Sequence, residues 1–407
     1  MGVLLIAVKL KDDKGFSYSL KELEALAEAC SFEVEDTITQ TLDQINNKYY
    51  FNIGKLDEVK ETIAEKKIEA VIANDELSGL QLKNLGNILD CRILDRTRLI
   101  LEIFASRAQT REAKLQVDIA YKNYQLTHLV GQRSALYSQQ GGSGFRGGGE
   151  TQLQLDRRIL RRSINSLDKE LKQMVLQRQT QRKRRAHNNI KQVALVGYTN
   201  SGKSTLLNTL IGSNPKKAEV KDMLFATLQT SSRQVFDFPF NYLLSDTVGF
   251  IEKLPTALVK AFRSTLEEIK EADLLLLVID LGNPEYDKQI ATTKEVLKEL
   301  DCGELPLIHV YNKADLIEDD YYHPLLDDNL VISCRDNLNI DELRLRIREQ
   351  LFNIRKVKLR LPFERYELVN KIATEEELVE LKENDTDIEV IAYIQNTNME
   401  NYREYLI

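Results

Sequence analysis

The sequence predicts an α/β protein of several domains. Three observations indicate this: short apolar runs alternate with helical patterns near the N-terminus, they do so again in the central region, and two long proline-free stretches lie between these regions. We therefore expect an N-terminal α/β subdomain (1–104), a two-helix hairpin (105–186), a central domain with a mostly parallel sheet (187–355) and a small α+β domain (356–407).

The composition is that of an ordinary water-soluble protein. The 407 residues include 56 basic and 63 acidic side chains, and the formal net charge of −7 argues against a protein that coats nucleic acid over its whole surface. The longest apolar runs, such as 274–279, are much shorter than the roughly 20 residues that span a bilayer. The first ten residues show no signal-peptide pattern and the four cysteines lie far apart, so we expect reduced thiols in a cytoplasmic protein without a membrane span.

The N-terminal subdomain shows both strand-like and helical patterns. Apolar runs of strand length occur at 3–9, 70–73 and 92–94, and apolar residues recur at helical spacing in 20–29. A polar helix candidate follows Asn74 and Asp75. Strands and helices that alternate along the chain in this way are typical of an α/β unit.

Two long helices are predicted next. Glycine and proline are nearly absent from 105–136 and absent from 151–185, where apolar residues recur at steps of three, four and seven. Six of the 18 glycines lie in the joining loop, 141–149. The second helix is basic, because 156–185 contains eleven Lys or Arg against three Asp or Glu. Such a helix can follow RNA phosphates, although solvated basic helices and glycine-rich linkers are also common.

Strands and helices alternate again in the central domain. Most of its apolar runs are separated by helical patterns, which is typical of a largely parallel sheet. These runs are 193–196, 242–245, 274–280, 307–310 and 331–333. In the C-terminal domain the pattern predicts a strand at 357–361, a helix at 366–376 and a strand at 388–394.

A phosphate-binding loop is predicted directly after the first central strand. Glycines let the backbone turn so that its N–H groups point at phosphate oxygens, and the N-terminus of the next helix favours anions. We expect Lys203 to reach the β- and γ-phosphates and Ser204 to hold Mg²⁺. The pattern consists of Gly197, Tyr198, Thr199, Asn200, Ser201, Gly202, Lys203 and Ser204, with Thr205 in the following helix.

A second segment follows the next apolar run. Asp246 follows the end of this run, and the carboxylate that organises Mg²⁺ in phosphate-loop enzymes also lies at the end of a strand. Gly249, three residues later, could present its N–H to the γ-phosphate. A strand-terminating turn would be the ordinary interpretation of this tetrapeptide alone, but its position after a phosphate loop favours the nucleotide role.

A third segment predicts selection of guanine. Asp315 can accept hydrogen bonds from the ring N–H and the exocyclic amine of guanine, and adenine offers no such pair of donors. Asn312 would tether the loop and reach the base, and Lys313 would cover the nucleotide plane. After the next strand, backbone N–H groups at Ser333 and Cys334 are predicted near the guanine oxygen.

The order of these segments resembles that of Ras-like GTPases, so GTP hydrolysis is the direct inference. The threonine that binds Mg²⁺ and the γ-phosphate is expected at Thr227, with Thr230 as the competing candidate. Ras orients water with a glutamine where this chain has Phe250, so we predict slow intrinsic hydrolysis. Asn200 also resembles the asparagine of GTPases that recruit K⁺. The predicted catalytic residues are Lys203, Thr227 and Gly249.

Six segments resemble the HflX GTPases, and the likeness covers nearly the whole chain. Phe250 is part of that family pattern, whereas Phe145 and Gly148 stand where the family usually has threonine and proline, and 11–46 matches least. The segments are 141–158 (GGSGFRGGGETQLQLDRR), 74–78 (NDELS), 94–97 (LDRT), 110–117 (TREAKLQV), 222–228 (DMLFATL) and 246–251 (DTVGFI).

The resemblance implies a GTPase that binds the large ribosomal subunit and is stimulated by ribosomes. Some HflX proteins split ribosomes under stress, with the glycine-rich loop and the hairpin reaching toward the peptidyl transferase centre. GTP or GDP and Mg²⁺ are the implied ligands, with K⁺ as a further candidate. The chain has no second phosphate loop, so we do not predict an ATP site. The predicted contacts to ribosomal RNA are Arg146, Arg157, Arg158, Arg161 and Arg162.

Two other functions fit the same residues. The chain could be an assembly GTPase that matures the large subunit, or a GTP-controlled regulator of a partner other than the ribosome. In the favoured interpretation it is a monomeric cytoplasmic protein, partly associated with ribosomes, that splits or rescues them under stress.

Overall fold

The structure is a computed structural model, and it describes residues 1–11, 13, 15–139, 148–186, 190–212, 231–253, 258, 269–317 and 330–407. These residues form two compact units. Unit 1 contains the described residues up to 183 and those of 250–265, and unit 2 contains the described residues of 184–221, 230–249 and 266–407.

Unit 1 is built on a four-stranded parallel sheet in the order β2–β1–β3–β4. The inner strand β1 is buried from Val3 to Val8, whereas the edge strand β2 is mostly exposed or half-buried. The strands are β1 Gly2–Leu10, β2 Glu33–Leu42, β3 Ala70–Ala73 and β4 Arg92–Asp95.

Four helices alternate with these strands. The third begins at a capping box, because Ser78 Oγ accepts from the Gln81 N–H and Gln81 Oε1 accepts from the Ser78 N–H. The fourth begins at Asp95, whose carboxylate accepts from the Arg98 N–H. The helices are α1 Phe16–Ala29, α2 Ile53–Lys66, α3 Gly79–Leu89 and α4 Arg96–Arg107.

Two long helices complete unit 1. Arg111 at the start of the first pairs with Glu170 in the second half of the second at 2.7 Å, as expected for an antiparallel hairpin. The first helix packs closely on α3, since a side chain at Gly79 would come within 2.2 Å of the His128 carbonyl oxygen. The His128 ring also lies 2.7 Å from the carbonyl oxygen of Leu77. The helices are α5 Arg111–Gln139 and α6 Gly148–Ala186.

Unit 2 contains a six-stranded sheet in the order β10–β9–β8–β5–β7–β6. Only β6 runs antiparallel, so the carboxyl ends of the other five strands share one edge. The strands are β5 Lys191–Gly197, β6 Ser231–Val235, β7 Tyr242–Asp246, β8 Leu274–Asp280, β9 Leu307–Asn312 and β10 Leu330–Val331. The helices are α7 Lys203–Ile211, α8 Tyr286–Glu299 and α9 Ile340–Phe352.

A small antiparallel sheet, β11–β13–β12, follows within unit 2. One face of β13 is buried at every second residue against the apolar core that also takes in Val369, Ile372 and Tyr402. The elements are β11 Ile354–Pro362, α10 Tyr366–Glu375, β12 Glu377–Glu383 and β13 Asp387–Gln395.

The predicted α/β multidomain fold class is confirmed, but the sequence patterns missed five elements: β2, α2, α4, β6 and β12. The last is instructive, because its sequence ELVELKE lacks the alternation of a half-buried strand, and its residues from Val379 onward are exposed. Among the described helices none is long and apolar enough to cross a membrane.

Candidate nucleotide site

The predicted nucleotide segments that the structure describes meet at the carboxyl edge of the six-stranded sheet. The loops after β5, β7, β9 and β10 all leave this edge, because their strands are parallel and neighbouring. In open parallel sheets this edge is where ligands bind.

The loop after β5 has a backbone that its glycines permit. Gly197 and Gly202 have φ values of +148° and +94°, which residues other than glycine rarely adopt. A side chain at Gly202 would also lie 2.2 Å from Asn312 Nδ2. Asn200 adopts the left-handed conformation with φ of 60°. The loop is therefore a tight turn that leads directly into α7.

Lys203 at the start of α7 is buried, and its ammonium group donates to the carbonyl oxygens of Tyr198 (2.6 Å) and Gly197 (3.1 Å). Burial lowers its pKa to about 8, while nearby Asp246 acts in the opposite direction. The side chain thus curls back over its own loop, as a lysine must if it is to meet phosphates held there.

Ser204 and Asp246 bring two oxygen ligands together. Ser204 Oγ donates to Asp246 Oδ2 at 2.6 Å, and the carboxylate is buried. The residue after Asp246, Thr247, fixes this turn by donating from Oγ1 to the Leu195 carbonyl at 2.7 Å. Hydroxyl and carboxylate oxygens are ligands that Mg²⁺ prefers, so the pair fits such an ion.

Gly249 lies directly against the phosphate loop. A Cβ at this position would be 2.8 Å from Thr199 Cα and 3.0 Å from Lys203 Nζ. Only glycine allows this approach without a shift of the backbone. The hydroxyls of Thr199 and Ser201 are buried here without a hydrogen-bond partner among the described residues, which leaves polar atoms available to a ligand.

Asn312 joins three loops of the site. Its Nδ2 donates to the Ser201 carbonyl at 3.0 Å, and its Oδ1 accepts from the Cys334 N–H at 3.2 Å. Asn312 thus connects the phosphate loop with the loop after β10. The N–H of Ser333 donates to Leu338, so in this structure both amides predicted near guanine have partners within the protein.

The side chains on either side of the base position are held by ion pairs and hydrogen bonds. Asp315 accepts from Ser333 Oγ at 2.8 Å and lies 3.8 Å from Arg335. Lys313 Nζ donates to Asp280 Oδ2 at 2.7 Å. The sequence patterns did not single out Asp280, although its place at the carboxyl end of β8, between β5 and β9, was the available signal.

Several predicted residues lie away from this constellation. Thr227, Thr230 and Arg146 fall outside the described residues. Phe250 is buried and belongs to unit 1. On α6, the guanidinium-bearing residues Arg158, Arg161 and Arg162 are exposed and Arg157 is half-buried. Thr205 is half-buried on α7, where its carbonyl accepts from Thr209 Oγ1.

Three family models match this chain in succession. The model described as "GTP-binding GTPase N-terminal" matches 17–105, and "GTP-binding GTPase Middle Region" matches 107–185. A model described as "50S ribosome-binding GTPase" matches 192–313, which contains the phosphate loop, Asp246 and Asn312.

Known proteins resemble the chain over most of its length. GTPase HflX of Alkalihalophilus pseudofirmus is 43% identical over 351 residues, 86% of this chain and 82% of that protein. GTPase HflX of Caldanaerobacter subterraneus subsp. tengcongensis is 41% identical over 391 residues, 96% of this chain and 90% of that protein. The crystal structure of the SsGBP and GDP complex is 27% identical, with a TM-score of 0.48, over 87% of this chain and 99% of that one. The chain belongs to the HflX family of GTPases and is an enzyme that hydrolyses GTP.

Proposed function

We propose that this chain is a GTP-driven factor that binds the large ribosomal subunit and splits or rescues ribosomes under stress. The observation that carries the proposal is the combination of a nucleotide site in unit 2 with an exposed arginine face on α6 in unit 1. The family model described as 50S ribosome-binding supports a ribosomal partner.

At the nucleotide, Lys203 would exchange its two carbonyl partners for β- and γ-phosphate oxygens. The exchange is favourable because a phosphate anion compensates the buried ammonium charge better than neutral carbonyls do. Ser204 and Asp246 would hold Mg²⁺, with Thr227 as the predicted further ligand. The ion, when bound, would neutralise charge on the transferring phosphoryl group.

Guanine selection would depend on Asp315. The carboxylate is mostly enclosed and already faces Ser333 Oγ, so it is presented in one orientation. A base without the paired donors of guanine would leave that charge uncompensated, which disfavours its binding. Lys313, held by Asp280, would cover the plane of the base.

Hydrolysis by the isolated protein should be slow. Phe250 has no polar atom to orient water, and in this structure its side chain is buried in unit 1. Gly249 would sense the γ-phosphate, and Asn200 would help to hold a K⁺ ion. Equal GTPase rates in K⁺ and Na⁺ would reject the K⁺ role.

The basic face of α6 would meet ribosomal RNA. The exposed Arg161 and Arg162 follow the exposed Arg158 by three and four residues, so all three share one side of the helix. Their guanidinium groups can pair with phosphates, and the resulting affinity falls steeply with salt. Arg157 and Arg146 are proposed as further RNA contacts.

The decisive experiment measures GTP hydrolysis with and without large subunits. The wild type should be stimulated, and a variant that lacks 141–149 should bind GTP normally but lose most of the stimulation. Co-sedimentation with ribosomes should depend on GTP and decrease with salt. If the GTP-bound protein failed to sediment with ribosomes, a non-ribosomal regulator would be the better proposal.

A strain that lacks the gene distinguishes ribosome splitting from subunit assembly. Deletion of the gene should slow the separation of stalled ribosomes into subunits under stress. Accumulation of immature large subunits without a splitting defect would instead favour the assembly function.

A further inference from the structure

The small C-terminal sheet has one covered edge and one open edge. On the β11 side, Leu406 forms an antiparallel bridge with Leu359, and the Ile407 N–H donates to the Lys358 carbonyl at 3.0 Å. On the other side, β12 pairs with β13, and no other described residue makes a backbone hydrogen bond to it. An open edge presents N–H and C=O groups that can pair with a further strand.

The open edge is acidic. Residues 375–387 contain seven Asp or Glu against one basic residue, Lys382. Glu380 and Glu383 on β12 are exposed and form no ion pair with any other described residue. On the covered side, by contrast, Lys358 and Arg360 are both paired with Glu389, at 3.0 and 2.9 Å. Glu380 and Glu383 are therefore the two carboxylates of β12 that could pair with an added basic segment, and Lys382 is the one basic residue beside them.

Large apolar side chains are exposed on β12 and in the turn between β6 and β7. Val379 and Leu381 on β12 are 49% and 36% exposed, and Phe236 and Phe238, in the turn between β6 and β7, are each 71% exposed. Exposed aromatic residues in such a group are typical of interaction sites.

The aromatic turn and β12 meet at a single guanidinium group. Arg348 on α9 lies 3.7 Å from Asp237, which stands between the two phenylalanines, and 2.8 Å from Glu377, the first residue of β12. Asp237 in this turn and the start of β12 therefore lie within reach of the same side chain.

We infer that the β12 edge is a docking site for an extended, lysine- and arginine-rich protein segment, which would add to the sheet as a fourth strand. Backbone pairing would supply general affinity, the glutamates would select basic side chains, and the phenylalanines and Val379 would contact apolar ones.

The same features disfavour two other occupants. RNA phosphates would be repelled by the glutamates. A second copy of the edge would bring like charges together. This surface is distinct from the nucleotide site, so it does not depend on the proposed ribosomal role.

The test uses the full chain and three probes: a fluorescent ten-residue peptide of alternating lysine and valine, the same peptide with glutamate for lysine, and a ten-residue oligouridine. The lysine peptide should bind, with affinity that falls with salt. In the complex, amide hydrogen exchange at 379–383 should become slower than in the free protein, because strand addition occupies backbone groups. Unchanged exchange on binding would overturn strand addition.

Two matched variants locate the site. E380K/E383K should weaken binding of the lysine peptide at least about tenfold. E400K/E404K, the same change in charge beside the covered edge, should change it less than about twofold. GTP hydrolysis should be normal in both, which shows that the chain is folded. Equal loss in the two variants, or oligouridine binding that E380K/E383K weakens, would reject the proposal.

Discussion

The side-chain amide of Asn312 donates to the carbonyl oxygen of Ser201 at 3.0 Å, although 111 residues separate them. The Oδ1 atom of the same side chain accepts from the Cys334 N–H at 3.2 Å. One buried side chain thus fixes the phosphate loop against the loops that surround the base position.

Replacing Asn312 with alanine removes both hydrogen bonds and leaves buried backbone groups unpaired. We expect the free energy of unfolding to fall by about 1–3 kcal/mol and GDP affinity to fall at least about tenfold, since the loops lose their common anchor. Chemical denaturation and nucleotide titration measure these effects. Asn401→Ala, at an exposed asparagine of the C-terminal domain, should change neither; a GDP affinity equal to wild type in N312A would contradict the tether.

Gly249→Ala should separate GTP binding from GDP binding. The new Cβ would come within 2.8 Å of Thr199 Cα, so the segment must move away from the phosphate loop and withdraw its N–H from the γ-phosphate position. We expect GTP hydrolysis to fall at least about tenfold, while GDP affinity stays close to that of the wild type. Gly303→Ala, where nothing lies within 4 Å of the added atom, is the control.

Nucleotide affinity should fall as pH rises through about 8. Burial lowers the pKa of Lys203 in the free protein to about 8, and phosphate binding requires the protonated form. Above this pKa, binding must also return a proton to Lys203, so nucleotide affinity falls by a factor of about ten per pH unit. Titrations from pH 7 to 9 measure this.

The stability of the nucleotide-free protein should change with pH in the opposite direction. Because the folded-state pKa of Lys203 is lower than the value of 10.5 for an unperturbed lysine, the unfolded chain holds more protons between about pH 8 and 10.5. This group alone therefore makes folding more favourable as pH rises through that window. Lys203→Met should abolish the pH dependence of nucleotide affinity and the contribution of this group to the pH dependence of stability. Any pH effect on affinity that remains in the variant arises from titration of the nucleotide.

Asp315→Asn should change base specificity. The amide can donate to a carbonyl where the carboxylate could only accept, so xanthine, with a carbonyl in place of the guanine amine, becomes the better match. We expect GTP affinity to fall at least about a hundredfold, and hydrolysis of xanthosine triphosphate to appear. Hydrolysis of that nucleotide also shows that the variant is folded. Loss of both activities together would leave Asp315 with a structural role instead.

Removing arginines from α6 should weaken ribosome binding in a salt-dependent way. For R158A/R161A/R162A, each lost phosphate contact should reduce the slope of log affinity against log salt by about 0.7–0.9. GTP affinity should not change, since these residues lie in unit 1. R355A/R365A/R403A removes three exposed arginines from unit 2 and should preserve the slope. Equal slopes for wild type and the α6 variant would exclude this face as an RNA contact.

The sequence was sufficient to predict the fold class, and it also led to the proposed nucleotide residues. Each nucleotide segment directly follows an apolar run, and in a parallel sheet neighbouring strands end at the same edge. Local pattern also predicted the hairpin, because long stretches without glycine or proline have few alternatives to helix. These features depend on residues close together in the chain.

Only the tertiary structure decided which distant groups meet. The pairing of Lys313 with Asp280 and the two hydrogen bonds of the Asn312 side chain arise when separate loops converge. β12 shows the same limit: its charged sequence lacks a strand pattern, yet pairing with β13 makes it one. Its outer edge stays open, while Leu406 and Ile407 cover the opposite edge. Periodicity in the sequence reports the burial of one element, whereas the partner of each backbone and side-chain group depends on how the elements are arranged in space.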